Sequence, residues 1–167
     1  MTPAEFKTLR EALNLSAQAL ADLLGLRSDR TIRYWESGRS RIPEGAAAEL
    51  ARLDATVERG VAEAVALFQD RTHTADPQPP DVALLRYHSD ADLELYQPET
   101  FASLGSGRVH AALIARTRQA LERLGAAVSI AFMEPEAYEA WRAEAGLDDD
   151  PAARATWAAL GRGGGHD

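Results

Sequence analysis

The chain has 167 residues and a formal net charge of −8, with 46% of its side chains apolar and 26% charged. That composition belongs to a soluble globular protein of one ordinary domain or two small ones, and no apolar run approaches the ~20 residues needed to cross a bilayer. The lack of cysteine excludes disulfides and thiolate metal sites; the start M-T-P-A-E-F-K carries no basic-then-apolar signal region, so a cytoplasmic protein is expected.

Thr2-Pro3-Ala4-Glu5 predicts a helix start, with Thr2 as N-cap, Pro3 at the first helical position and Glu5 as capping-box partner. This helix is expected to run to Leu13, burying Phe6, Leu9 and Leu13. Ser16 caps a second helix whose Leu20, Leu23 and Leu24 face inward and which Gly25 ends. Ser28 or Asp29 caps a third, ending at Gly38, where Ile32 and Trp35 pin the helix to the core and most arginines point outward. Pro43 restarts the chain as a long helix to Asp70. Its Leu50, Leu53, Val57, Val61, Val65 and Phe68 recur at threes and fours, a stripe longer than a small head can cover. Either the stripe packs on the chain's own C-terminal part, or it is a dimer seam in which Gly60 allows close approach.

Residues 71–81 read as a proline-rich linker, because Pro77, Pro79 and Pro80 bar helix. Val82 to Tyr87 predicts a short strand, and Leu93 to Ser103 is weakly helical, with Pro98 starting a turn or short helix. Gly107 to Leu124 predicts a helix with Val109, Leu113, Ala120, Leu121 and Leu124 along one side, stopped by Gly125. Val128 to Phe132 alternates and reads as a second strand. Glu134 to Ala145, carrying Tyr138 and Trp141, and Pro151 to Leu160 read as further helices. The tail, 161–167, is expected to be disordered. The fold class is thus mainly α, with a DNA-reading helical head over 1–70 and a small α+β unit over 82–160. Two strands are too few for a self-sufficient sheet, and pairing across a dimer would cure that.

The functional signal lies in Ser28 to Pro43, S-D-R-T-I-R-Y-W-E-S-G-R-S-R-I-P. A short helix with basic residues outside and an anchored apolar face is what a major groove admits. With the preceding L-S-A-Q-A-L-A-D-L-L-G it gives helix, glycine-bearing turn, basic helix, the layout of a helix-turn-helix DNA reader. The acidic balance argues against a nucleic-acid partner until it is divided. Residues 1–42 carry seven basic and five acidic side chains, a net of +2, and the remainder carries −10. A mildly basic head on an acidic body fits a binder that touches DNA with one face.

The region from Phe6 to Pro43, with L-S-A-Q-A-L-A-D-L-L-G, then T-I-x-x-W-E-x-G and a following proline, resembles the Xre/Cro-like helix-turn-helix repressors, whose head is a lambda-repressor-like bundle. R-Y-W-E-S-G-R-S-R-I-P is most similar to the anti-CRISPR-associated regulators and the related YdiL-like proteins. The resemblance implies a homodimeric repressor of its own gene or operon on an inverted-repeat operator, with a small C-terminal dimerisation domain. It also implies that Arg10 pairs with Glu36 of the W-E motif while approaching a phosphate. Two departures stand out: Ala17 replaces the first Gln of the usual second helix, with Gln18 after it, and the turn Leu26–Arg30 is one residue longer than in simple repressors.

The expected DNA contacts are Gln18, Arg27, Ser28, Arg30, Thr31, Arg33, Tyr34, Arg39, Ser40 and Arg41. Arg30 and Arg33 can fork onto guanine, whereas Arg39, Ser40 and Arg41 follow the reading helix, where phosphate clamping is the natural role. Trp35 is expected in the core, and Asp29 as a cap. His73, His88, His110 and His166 have no metal-site spacing, no nucleophile has a paired base, and no cofactor or enzymatic activity is expected. Gly105-Ser106-Gly107 could cradle a phosphate but is more often a plain loop. The alternative to the repressor is an antitoxin-type DNA-binding protein whose C-terminal unit binds a partner protein.

Overall fold

A computed structural model describes residues 1–74 and 81–161. The protein is mainly helical with one small parallel sheet. Helix α1 (Pro3–Ala12) opens on the complete Thr2/Glu5 capping box, and α2 (Ala17–Leu23) opens on Ser16, whose hydroxyl accepts from the Ala19 amide. Between them Asn14 takes φ +58°, a left-handed conformation that asparagine tolerates better than most residues. Helix α3 (Arg30–Glu36) ends in a turn through Gly38 at φ +70°. Phe6, Leu13, Leu20, Ile32 and Trp35 bury the inner faces, with Phe6 and Trp35 meeting edge to face at 5.8 Å.

Helix α4 (Glu44–Thr74) is longer than expected: residues 71–74, assigned to the linker by sequence, continue it. The rest of that linker, 75–80, and the tail beyond Gly161 lie outside the described residues. Strand β1 (Val82–Arg86) follows. The weakly helical stretch resolves into two helices, α5 (Asp90–Tyr96), capped by Ser89, and α6 (Pro98–Leu104). Then come α7 (Gly107–Arg123), strand β2 (Val128–Phe132), α8 (Pro135–Ala145) and α9 (Pro151–Leu160). The two strands pair with each other in parallel, Val82 opposite Val128 through Arg86 opposite Phe132, with α7 as the crossover.

The stripe on α4 is covered by the same chain. Leu50, Leu53 and Val57 share one core with Phe6, Leu13, Leu104 and Val109, and Phe68 packs with Leu121 and Ala126. Gly60 faces α7 so closely that an added Cβ would stand 3.0 Å from Leu113 Cδ1. The close approach that Gly60 allows is therefore made to α7 within the chain. Arg116 of α7 locks the pairing by donating to Asp54 at 2.8 Å, to Glu58 at 2.6 Å and to the Ala12 carbonyl at 3.2 Å. Leu124, expected on the inner side of α7, is 43% exposed, because the helix has already ended at Arg123. A second aromatic core joins Tyr87, Tyr96 and Tyr138, with Trp141 and Trp157 against it, so α8 and α9 are integral to the fold. No helix among the described residues is long and apolar enough to cross a membrane.

Candidate nucleic-acid interface

Seven residues make α3, and their helical spacing sorts them into two faces. Ile32 and Trp35 are buried, while Arg30 and Arg33 are exposed and Thr31 and Tyr34 half-buried. The outer face is organised by Tyr34. Arg30 Nε donates to its hydroxyl at 2.5 Å. The guanidinium carbons of Arg30 and Arg39 each lie 5.1 Å from its ring centroid, within cation–π range. One aromatic ring thus holds two guanidinium groups that would otherwise repel each other in solvent.

Arg33, whose side chain is 71% exposed, pairs at 2.7 Å with Asp29 one turn earlier. This corrects the expected role of Asp29: it stands at the N-cap position but makes no side-chain cap bond. The capping falls to Ser28, whose hydroxyl accepts from the Arg30 amide at 3.1 Å. The Ser28 oxygen is therefore engaged within the chain. Gln18 on α2 donates to Asp22 Oδ1 at 2.7 Å. Arg27, Arg39, Ser40 and Arg41 are exposed in the turns on either side of α3, and Arg41 and Ser40 border a shallow hollow with Met1, Pro3 and Glu44.

Beneath this surface Arg10 and Glu36 meet. Arg10 Nε donates to Glu36 Oε1 at 2.5 Å, Nη1 to the Leu15 carbonyl at 2.6 Å and Nη2 to Glu11 at 3.3 Å. Each nitrogen of this 7% exposed residue has a protein acceptor. Its geometry fixes the tilt of α3 against α1 and the turn before α2.

The Gly105-Ser106-Gly107 loop offers no anion cradle. The Gly107 amide already donates to Asp90 Oδ1 at 2.7 Å, and a carboxylate occupies the place a phosphate would need. Gly105, at φ +70°, simply ends α6, and Ser106 caps α7. Histidine 88 contacts Glu134 at 3.0 Å and stacks on Phe132 at 4.3 Å. Sequence reasoning missed the part that Asp22 and Asp29 play in holding Gln18 and Arg33. The i,i+4 spacing of both pairs was the available signal. It also missed three buried polar residues, His110, Thr117 and Arg154, which lie on helix positions that periodicity alone reads as core.

Chemically, the α3 surface presents three guanidinium groups, Arg30, Arg33 and Arg39, and the Tyr34 phenol, with acidic side chains orienting Gln18 and Arg33. Such a face suits phosphate oxygens and base edges. No curated protein matches the chain. A family model described as a domain of unknown function (DUF4447) matches residues 1–161, and the chain belongs to that family.

Proposed function

We propose that the protein is a sequence-specific, DNA-binding transcriptional regulator of the Xre/Cro-like type, a homodimeric repressor acting on an inverted-repeat operator. In this reading α1 to α4 form a lambda-repressor-like helix-turn-helix head, and α3 enters the major groove. The observation that carries it is the division of α3: Ile32 and Trp35 anchor one face, while Arg30, Arg33 and Tyr34 stand on the other, with Arg39 drawn onto the Tyr34 ring. The charge division, +2 over residues 1–42 against −10 elsewhere, supports a single DNA-facing side. It also limits non-specific binding, which depends on the number of phosphates neutralised.

A dimer is needed to read two half-sites about 34 Å apart. The edge of β2 away from β1 supports a place for it. Ile130 and Phe132 on that strand are 38% and 42% exposed, and β1–β2 is an isolated pair among the described residues. Two β2 edges meeting about a twofold axis would make a four-stranded sheet.

Footprinting on the DNA upstream of the protein's own gene, over a salt series, tests the reading. The expected result is a protected inverted repeat, with affinity falling by a log–log slope of ~0.9 per neutralised phosphate. Absence of protection at low salt would overturn it.

A further inference from the structure

Four polar residues are buried among the described residues: Arg10, His110, Thr117 and Arg154. Arg10 is accounted for by Glu36 and the Leu15 carbonyl. The other three line one open cavity of about 610 Å³ bordered by α4, β1, the α5–α6 corner, α7 and α9, to which α1, α2 and α3 contribute nothing. Buried polar groups are normally hydrogen-bonded, because leaving them dry is costly. Yet neither the His110 ring nor the Thr117 hydroxyl makes a hydrogen bond to protein among the described residues, although both are 3% exposed. The fully buried side-chain polar atoms without a partner among the described residues are Ser129 Oγ and Arg142 Nε, so the polar atoms of His110 and Thr117 are open to the cavity.

The backbone adds to this. The Val82 amide donates to the Ala127 carbonyl and the Met133 amide to the Arg86 carbonyl, which puts the even-numbered residues of β1 on the β2 side. In a parallel ladder the alternate residues, Ala83 and Leu85, direct N–H and C=O to the opposite edge. That edge borders the cavity. Leu84, Leu113 and Ile114 supply apolar wall between the polar groups. A mostly apolar hollow of this size with a few convergent polar groups is the usual form of a small-molecule site.

The polar groups come from two helices. Tyr87 packs 5.6 Å from the His110 ring on α7, and Arg154 reaches the cavity from α9. Thr117 lies seven residues further along α7, ~10 Å away at 1.5 Å per residue. Arg154 spends Nη1 on Asp149, whose Oδ1 also accepts from Tyr138; a guanidinium carries five N–H donors, so others remain. Glu99, the acidic side chain at the wall, is on the exposed rim. Arg154 is therefore the buried cation of the lining.

We propose that this cavity is a binding site for a small carboxylate with an apolar body. Arg154 holds the carboxylate, Leu84, Leu113 and Ile114 cover the body, and His110 and Thr117, spaced along α7, meet polar atoms of the ligand. The site is independent of the DNA-binding reading and stands or falls by direct binding.

Calorimetry on the full chain with octanoate, octanol and octylammonium as probes tests it. Saturable binding of octanoate, at least tenfold tighter than either of the others, is expected. Arg154→Met should weaken octanoate at least tenfold. Because that change also strips Asp149 of its partner, Ala64→Leu serves as a second variant: it narrows the cavity from α4, leaves the Arg154–Asp149 pair intact, and should cost a similar factor. Equal binding of all three probes, no saturable binding of octanoate, or octanoate binding unchanged in Ala64→Leu would overturn the proposal.

Discussion

Arg10 and Glu36, 26 residues apart, join α1 to α3 through a 2.5 Å contact between side chains that are only 9% and 11% exposed. Removing one member of a pair so placed strands the other charge, at a cost of about 3–5 kcal/mol. Arg10→Met is expected to lower stability by that amount in urea unfolding. The double variant Arg10→Met, Glu36→Leu should recover much of the loss, because neither charge is then left behind. A double variant as unstable as the single would mean that the packing of the arginine stem, not the charge pair, matters.

Arg33 occupies the opposite circumstance. Its pair with Asp29 is exposed, and such i,i+4 pairs contribute about 0.3–0.5 kcal/mol. Arg33→Ala should therefore leave the thermal midpoint nearly unchanged. On the repressor reading the same substitution removes a base-reading fork worth about 1–3 kcal/mol, a roughly fivefold to 150-fold loss of operator affinity. Gel-shift titration beside a melting curve separates the two effects. Unchanged affinity for the native operator would remove α3 from the groove.

How much of this was legible follows from where each signal originates. The Thr2/Glu5 capping box, Ser16, and the prolines opening α6 and α9 act within one turn, so their elements could be read from the chain. The strands were legible as strands, but their parallel pairing with each other was not, since that depends on the α7 crossover. The fate of the α4 stripe was undecidable from periodicity. A row of Leu and Val looks the same whether a partner subunit or α7 covers it, and it takes the packing of Leu113 over Gly60, where an added Cβ would stand 3.0 Å from it, to show α7 there. At the interface, exposed arginines could be read from helical spacing, whereas the clasp of Arg30 and Arg39 on Tyr34 depends on how the chain turns after Gly38.

That shared core carries a prediction. A fragment of residues 1–74 would lose Leu104 and Val109 from the cluster holding Leu50, Leu53 and Val57, and Arg116 from Asp54 and Glu58. We expect the fragment to show lower helicity than its α1–α4 length implies and to melt without a sharp transition. Cooperative unfolding at the midpoint of the full chain would show that the head is self-sufficient.

The dimer reading is checked at β2. Phe132→Asp with Ile130→Asp places like charges on two side chains that are 42% and 38% exposed, at the cost of the Phe132 contacts with His88 and Arg86. Sedimentation is expected to shift from dimer to monomer, with circular dichroism unchanged. A dimer that survives both substitutions would place the interface elsewhere.

His110 supplies a test by pH. Burial, with a smaller effect from the Arg86 charge, holds its ring down at about 4, against an ordinary value of 6.5. The Tyr87 ring packs on it from the end of β1. In the unfolded chain the imidazole takes a proton below about pH 6.5, whereas the folded protein refuses one until about 4. Stability should therefore be full above that window and fall as pH drops through it. At ~1.4 kcal/mol per unit the whole loss is about 3 kcal/mol. His110→Phe removes the titration, so the stability difference between wild type and variant should shift by about that much between neutral pH and the lower end of the window. Carboxylates such as Glu49, whose charged form is favoured by Arg52, cancel in the comparison because both proteins contain them. Urea midpoints for both proteins across the range provide the measurement. Parallel pH profiles would mean that His110 takes up its proton in the folded protein as readily as in the unfolded chain, and that the site is not dry.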